Sequence, residues 1–417
     1  MGLFHSVCPQ FRGDDCDNCD IGGFTTDSRK ALRLLCRRIG RGTGLKLANV
    51  LTMFHFGGMV ADGFTRQEQR RARGAVSNAA GRYELARAVV PEVLETEEDL
   101  PPIRTEVTVE VPRKIITYNR SPDLPFDRSV NPYRGCEHGC IYCFARPTHA
   151  YLGLSPGLDF ETRLIARPDA PEVLAQELRA KRYEVAPIAI GTNTDPYQPV
   201  ERDWHIMRVC LEVLSAFKHP VAIVTKGTLV ERDIDILAPM AAQGLVRVGI
   251  SVTTLDAALS RRMEPRAPDP ARRLRTIRRL AEADIPVRLM TSPIVPGLTD
   301  HEVEALLQAG KAAGADTASW VMLRLPREVS PLWQEWLAEH EPGKAARVMA
   351  RLREMHGGRD YDARWGYRMR GDGHYAKMVA VRFARAARKL GLDKAVPPLR
   401  SDLFHAPACD GDQLELF

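Results

Sequence analysis

The sequence predicts an α/β protein whose core is a parallel sheet covered by helices. Short apolar runs recur from residue 129 onward, and the segments between them carry apolar residues at three- and four-residue spacing. Buried-type strands that alternate with helices are typical of a parallel sheet. Six such units are too few for a closed eight-stranded barrel and fit an open, partial barrel. A doubly wound sheet is the alternative, although no glycine-rich phosphate turn follows any predicted strand.

The apolar runs predict six strands: Ser129–Gly135, Pro187–Asn193, Pro220–Lys226, Val246–Thr253, Pro286–Pro293 and Ala318–Arg324. Helices are expected over Glu201–Phe217, Glu231–Gln243 and Asp300–Ala313. Asp269 followed by Pro270 is typical of a helix N-cap and first turn, and Asp300 is expected to cap its helix in the same way. Thr105–Val111 alternates like a further strand. In either sheet arrangement, ligand-binding residues gather at the carboxyl ends of the strands.

The composition favours a cytoplasmic protein with reduced thiols. The chain has 417 residues, of which 44% are hydrophobic and 27% charged, so it is not wholly disordered and forms one or two domains. No run of about 18 apolar residues predicts a membrane span. The nine cysteines are odd in number and occur in clumps, which is unlike a disulfide framework.

Four cysteines lie in the first 36 residues: Cys8, Cys16, Cys19 and Cys36. They could bind a structural zinc ion, with Cys16 and Cys19 as a CxxC pair, but the spacing matches no common zinc module. Residues 1–58 are therefore interpreted as a poorly defined, cysteine-containing prefix. Cys210 falls within a predicted helix and is expected to be a small core residue. Cys409 is expected to be incidental.

The remaining three cysteines, Cys136, Cys140 and Cys143, form a C-x3-C-x2-C motif in GCEHGCIYCFARP. Three thiolates this close together can hold one metal centre and leave one metal position open for a substrate or cofactor. The alternative is a zinc site that His138 or His149 completes.

This motif, with an aromatic residue at Tyr142 and a β/α repeat after it, resembles the radical S-adenosylmethionine (SAM) superfamily. Within that superfamily, Asn131–Pro147 and Gly191–Glu201 (GTNTDPYQPVE) are similar to the spore photoproduct lyase-like proteins. The resemblance implies a partial (β/α)6 TIM-type barrel over residues 128–330. An extended polar arm (59–127) would precede it, and a helical extension (331–395) and a flexible tail (396–417) would follow.

The resemblance also implies the cofactors, a 4Fe–4S cluster and SAM. The three cysteines would hold the cluster and SAM would chelate its open iron. An electron from an external donor would then lead to cleavage of SAM and to a 5′-deoxyadenosyl radical. The residues implied in SAM binding are Tyr142, Thr192, Asn193, Thr194, Asp195, Lys226, Ser251, Thr253 and Ile294.

Two positions depart from spore photoproduct lyase, which has a tyrosine directly after the last cluster cysteine and a separate cysteine after the second strand. Here the first position is Phe144, which has no hydroxyl hydrogen to transfer, and Ile188–Pro199 contains no cysteine. We therefore expect a paralogue of unknown reaction, whose catalytic residues the sequence does not identify.

Two features bear on partners. Arg261–Arg279 contains eight arginines. Leu274, Ile277 and Leu280 form the expected core stripe of this segment, so the arginines should line an outer face that is either solvated or bound to phosphates. The terminal QLELF resembles the pentapeptide that binds the bacterial sliding clamp, with Gln413, Leu414, Leu416 and Phe417 as the contact residues.

Three functions are compatible with these features. The first is a lyase-like radical SAM enzyme that acts on nucleic acid, as in DNA repair. The second is the same chemistry on RNA, a peptide or a metabolite. The third is a non-catalytic iron–sulfur or zinc module tethered to the clamp.

Overall fold

The computed structural model describes residues 72–84 and 103–408. The four early cysteines, Cys409 and the terminal QLELF segment lie outside these ranges. The zinc and clamp hypotheses that rest on those residues therefore stay predictions.

Ten strands are present: β1 Glu106–Val109, β2 Ile116–Tyr118, β3 Arg128–Val130, β4 Tyr133–Arg134, β5 Arg163–Ala166, β6 Ile188–Ile190, β7 Val221–Thr225, β8 Val246–Ser251, β9 Val287–Ile294 and β10 Thr317–Met322. Seven of them form one sheet in the order β10-β9-β8-β7-β6-β3-β2. The six strands from β3 to β10 in this sheet are parallel, and β2 is antiparallel to β3. Because β10 and β2 are its two edges, the sheet is an open, partial barrel, as predicted.

Helices follow the barrel strands: α1 Asp159–Thr162, α2 Ala170–Leu178, α3 Glu201–Trp204, α4 Ile206–Ala216, α5 Ile234–Ala242, α6 Ala257–Met263, α7 Pro270–Glu282, α8 Val303–Ala312, α9 Val329–His340, α10 Pro342–Met355 and α11 Gly373–Leu390. Short 3-10 helices cover Arg146–Leu152, Leu229–Asp233 and Asp300–Glu302. Among the described residues, no helix combines the length and apolar character that a membrane crossing needs.

Helix caps show where local sequence signals succeed and fail. The Asp269 carboxylate accepts a hydrogen bond from the Arg272 N–H at 2.8 Å, so the predicted cap of α7 is confirmed. Asp300 does not cap α8, because that helix begins as a 3-10 turn whose side chains make no capping bond. Its carboxylate instead accepts a hydrogen bond from the Tyr375 hydroxyl.

A second, three-stranded sheet has the order β1-β5-β4 and ties the arm to the barrel. The predicted strand at Thr105–Val111 is confirmed as β1, which pairs in parallel with β5. Beside it, Arg73 donates hydrogen bonds to the carbonyl oxygens of Ile103 and Glu161 at 2.8 and 3.0 Å. The described part of the arm is therefore held against the barrel.

The C-terminal region differs from the prediction after α11. The region predicted as a helical extension, residues 331–395, contains most of α9 and all of α10 and α11. Residues 397–408, expected to be part of a flexible tail, form a strap that packs on the barrel. The Arg400 N–H donates to Gly244 O at 3.0 Å, and Phe404 lies 5.5 Å from His219 and 6.3 Å from Phe217 between ring centroids. These contacts partly bury the Phe404 side chain, which the sequence alone could not place.

The arginine-rich segment is largely occupied by internal ion pairs. Five of its eight arginines pair with carboxylates: Arg262, Arg266, Arg272, Arg273 and Arg279. Arg273 is also buried rather than on the outer face, which corrects the predicted helix orientation at that position. This face offers few free cations for phosphates.

Candidate metal and cofactor site

The three motif cysteines lie on one loop that follows β4 at the carboxyl ends of the barrel strands. Cys136 and Cys140 are buried and Cys143 is half-buried. The loop is wound by turn hydrogen bonds, including Gly139 N–H to Cys136 O at 3.3 Å and Cys143 N–H to Cys140 O at 3.1 Å. Gly135 and Gly139 have φ angles of +76° and +65°, which L side chains rarely adopt. The glycines thus let the backbone bring three thiols to one side of a tight loop.

Contacts with the segments that follow two other strands, β8 and β6, fix this loop over the barrel. The Ile141 N–H donates to Met263 O at 3.0 Å, beyond β8. The Glu137 N–H donates to the Gln198 side-chain oxygen at 2.8 Å, beyond β6, and the Gln198 amide returns a bond to Gly135 O at 3.2 Å. The cysteines therefore sit where parallel sheets place their ligands.

Behind the loop lies a buried ion pair, which we call the cradle. Arg146 and Glu161 are fully buried and lie 2.5 Å apart. Arg146 donates to Cys140 O at 3.0 Å, and the Glu161 carboxylate accepts the N–H groups of Gly74 and Ala75, both at 2.8 Å. Arg146 also donates to the carbonyl oxygens of Gly139, Pro156 and Gly157. With its charges paired and its donors used, the cradle is a rigid support for the cysteine loop.

Burial keeps the thiols protonated in the absence of metal. Burial raises the pKa of Cys140 to about 12, with Lys226 and Arg273 acting in the opposite direction and Glu264 in the same one. It also raises the pKa of Cys143 and, together with the nearby Asp195 carboxylate, that of Cys136. Such thiols become thiolates when a metal replaces their protons, so the loop is suited to a bound metal rather than to a free nucleophile.

The donor set suits a cluster better than a single zinc ion. Within 72–84 and 103–408, no three His, Cys, Asp or Glu side chains converge on one ion position. His149 Nε2 lies 2.9 Å from Arg163 O, and His138 Nδ1 lies 3.2 Å from the Asp195 carboxylate, so one nitrogen of each ring already has a partner within the protein. Three ligands of a 4Fe–4S cluster bind three separate irons and need not converge.

Residues expected to contact SAM meet beside Cys140 in a buried polar cluster. Tyr142, Lys226, Ser251 and Thr253 are all in it, and three of them, Tyr142, Lys226 and Thr253, approach Glu264. The Tyr142 hydroxyl donates to Glu264, the Thr253 hydroxyl donates to it at 2.7 Å, and Lys226 Nζ lies 4.0 Å away. Lys226 also donates to the Ser251 hydroxyl at 3.1 Å. The structure thus brings four of the predicted residues into one network.

Glu264 was not identified from the sequence, and neither was its partner Arg273. Burial alone would raise the pKa of Glu264, but Arg273 and Lys226 lower it to about 2, so it is ionised. Arg273 is buried, pairs with Glu264 and donates to Ser251 O at 3.0 Å. There was no sequence signal for this pair beyond Glu264 being one of two acidic residues in the arginine-rich segment, because the pairing depends on tertiary packing.

Of the other predicted SAM residues, three are buried or bonded within the protein and two are half-buried. Asp195 accepts hydrogen bonds from the Thr225 hydroxyl at 2.6 Å and from the Lys226 N–H at 2.7 Å, and so links the ends of β6 and β7. Thr194 donates to Tyr133 O at 2.9 Å. Ile294 is buried at the end of β9. Thr192 and Asn193 are half-buried beyond β6.

On the open side of the loop stand Phe144, Arg324 and Tyr361, which we call the entrance group. Phe144 is 45% exposed directly after Cys143. The Arg324 guanidinium, two residues beyond β10, lies 4.8 Å from the Phe144 ring centroid and 6.0 Å from that of Tyr361. Sequence reasoning singled out Phe144 only for the hydroxyl it lacks and did not find Arg324.

Comparisons with known proteins agree with this arrangement. Residues 130–309 match the sequence profile of the Radical SAM superfamily. An uncharacterized protein of Mycobacterium tuberculosis (strain ATCC 25618 / H37Rv) is 38% identical over 235 residues, which are 56% of this chain and 68% of that protein. An uncharacterized protein of Methanocaldococcus jannaschii is 25% identical over 174 residues, 42% of this chain and 62% of that protein.

Among solved structures, the fold resembles spore photoproduct lyase. A tyrosine-to-phenylalanine mutant of that enzyme superposes with a TM-score of 0.51 at 16% identity, covering 71% of this chain and 86% of the other. A mutant with bound AdoMet and dinucleoside spore photoproduct gives a TM-score of 0.50 at 16% identity, covering 70% and 85%. At this identity the likeness establishes a shared fold.

Proposed function

Because this chain belongs to the radical SAM superfamily and is a radical SAM enzyme with a 4Fe–4S cluster and SAM as cofactors, we propose that Cys136, Cys140 and Cys143 hold the cluster. The observation that carries the proposal is the set of three free thiols on a braced loop at the carboxyl ends of the barrel strands. A cluster bound there would supply the electron that reductive cleavage of the carbon–sulfur bond of SAM requires.

The protein's own residues would bind SAM and orient it beside the cysteine loop. Lys226 is positioned by Ser251 and Glu264 to attract the carboxylate of SAM, and its ammonium also lies 5.7 Å from the Tyr142 ring centroid. Thr253 lies on the same side and can bond the ribose. The buried cradle closes the back of the cysteine loop, so water has no access to the loop from that side.

We propose nucleic acid as the substrate class, with a lesion in DNA as the first candidate. The support is the entrance group, where an exposed aromatic ring and an arginine lie next to the cysteine loop. The free thiols of Cys136, Cys140, Cys143 and Cys210 support a reducing, cytoplasmic location, in which an external protein donates the electron. The QLELF segment is proposed to bind the sliding clamp, which deletion of residues 413–417 tests by loss of co-purification.

The test of the enzymatic proposal is anaerobic reconstitution with iron and sulfide, followed by dithionite and SAM. Wild-type protein should show visible iron–sulfur absorbance and release 5′-deoxyadenosine, and Cys140→Ala should show neither. Cys210→Ala is the matched control, since Cys210 is a buried core residue in α4 outside the loop. An intact cluster without 5′-deoxyadenosine would refute the proposal. Adding ultraviolet-irradiated and unirradiated DNA then tests the substrate class.

A further inference from the structure

The Arg324 guanidinium is a cation without a carboxylate partner at the open side of the site. In the described ranges no Asp or Glu oxygen pairs with it. Its two terminal nitrogens reach only the Met369 sulfur at 3.2 Å and the Tyr361 hydroxyl at 3.4 Å, and its Nε is buried with no partner. Sulfur and a distant hydroxyl are weak acceptors for a guanidinium. Arg324 therefore has unused donors.

Neighbouring carboxylates are already engaged and cannot supply the missing partner. Asp360 pairs with Arg353 at 2.7 Å, and Asp362 pairs with Arg364 at 2.6 Å. Arg146 and Arg273, the buried arginines around the cysteine loop, have carboxylate partners instead. Leaving a partly buried guanidinium without an acceptor costs free energy, and an anionic ligand would offset that cost.

The surroundings specify what kind of anion fits. One face of the Phe144 ring is covered by Arg324, yet almost half of the residue stays exposed. Residues 356–372 cross the end of β10, where the Met322 N–H donates to Met369 O at 2.8 Å. This segment adds an exposed Trp365 and the Tyr367 ring, whose centroid lies 4.4 Å from the Arg364 guanidinium. Planar groups stack on such rings while guanidinium groups bind phosphates.

From this geometry we propose that Arg324 binds a phosphate group of the substrate, with the adjoining base stacked on Phe144. The proposal rests on the proposed function and names the anchor for a nucleotide beside the cysteine loop. The same phosphate chemistry could belong to a polynucleotide backbone or to a free nucleotide, and the test separates the two.

The test uses the full-length, reconstituted protein and a short fluorescent oligothymidylate under anaerobic conditions. Arg324→Gln should weaken binding about tenfold, which corresponds to about 1.4 kcal/mol. It should also reduce the slope of log affinity against log salt by about 0.7, the value for one phosphate contact on a single strand. Arg388→Gln, a highly exposed arginine in α11, is the control and should change neither quantity. Arg324→Lys, which keeps the charge and loses the planar fork, should fall between wild type and Arg324→Gln.

Competition identifies the source of the phosphate. Thymidine 5′-monophosphate should displace the oligonucleotide in an Arg324-dependent way, and thymidine should not. If the wild type binds the monophosphate through Arg324 but not the oligonucleotide, the anchor serves a free nucleotide. Unchanged affinity and salt slope in Arg324→Gln, equal competition by thymidine, or no binding of either probe would overturn the proposal. Arg324→Gln should still release 5′-deoxyadenosine, whereas failure of the proposed function would abolish that product in the wild type.

Discussion

The two sides of the cysteine loop use arginine in opposite ways. In the cradle, Arg146 has a buried carboxylate partner and four carbonyl acceptors. In the entrance group, Arg324 has no carboxylate partner among the described residues and leaves its Nε without an acceptor. A satisfied guanidinium stabilises the fold, and an unsatisfied one is available to a ligand. At this site, whether an arginine has all its hydrogen-bond partners thus distinguishes one that stabilises the fold from one that is available to bind a ligand.

Breaking the cradle should have the largest effect. Arg146→Met leaves Glu161 charged and buried, and removal of one partner of such a pair costs about 3–5 kcal/mol. Chemical denaturation should show this loss of unfolding free energy, and reconstituted protein should hold less iron. Arg388→Gln should leave both values unchanged. An Arg146→Met variant with wild-type stability and iron content would show that the ion pair does not support the loop.

Acid should loosen the strap by protonating His219, a second buried, satisfied group. Its Nδ1 lies 2.9 Å from Pro220 O and its Nε2 2.6 Å from the Tyr183 hydroxyl, while Arg128 faces it as a cation. Burial lowers the pKa of His219 to about 4, below its unfolded value of about 6.5. The unfolded chain therefore binds more protons between these values, and about 3 kcal/mol of stability present above pH 6.5 is lost as the pH falls towards 4. Denaturation curves measured across this range should show the loss, and His219→Gln should flatten it.

Shortening Glu264 should affect SAM more than the fold. Glu264→Asp keeps a charge near Arg273 but withdraws it from Tyr142 and Lys226, so SAM affinity should fall about tenfold. Calorimetric titration of SAM into the reconstituted protein measures this. Glu304→Asp, in a half-exposed pair with Arg382, is the control. Equal SAM affinity in the two variants would show that Glu264 does not position Tyr142 and Lys226 for SAM binding.

Removing the unsatisfied arginine should barely alter stability. Arg324→Met loses no ion pair and keeps an apolar group against Phe144, so the free energy of unfolding should change by about 0.5 kcal/mol or less. The comparison with Arg146→Met by the same denaturation assay tests the contrast directly. A loss as large as that of Arg146→Met would mean that Arg324 is structural.

The barrel could be predicted because each of its strands is a contiguous apolar run. All six predicted strands correspond to β3 and β6–β10, and Cys210 is in the core as expected. The strands β2 and β5 were missed, since they are three and four residues long. The predicted strand Ser129–Gly135 covers both β3 and β4, which the structure places in different sheets. The predictions of a flexible tail and of a helix cap at Asp300 were wrong for a different reason. Phe404 packs on residues distant in the chain, and the Asp300 carboxylate bonds the distant Tyr375 hydroxyl.

The site was predictable to the extent that a motif carried it. The C-x3-C-x2-C spacing predicted a metal centre at the three cysteines, and the family resemblance, together with the strand ends, pointed to Lys226, Ser251 and Thr253 as SAM-binding residues. The sequence did not predict roles for Glu264, Arg273 and Arg146, because these charged residues form buried ion pairs only once the chain has folded. Their charge partners come from segments that no sequence spacing connects.

The bonds from Gly74 and Ala75 to Glu161 also set a limit on how this protein can be shortened. The superfamily profile begins at residue 130, which invites a truncated chain that starts there. Such a chain would lack the two N–H groups at 2.8 Å that hold the Glu161 carboxylate, and also β1, the parallel neighbour of β5. Chains made for expression should therefore begin upstream of Arg73, since residues 130–309 alone lack the segments that pair with Glu161 and β5 behind the cysteine loop.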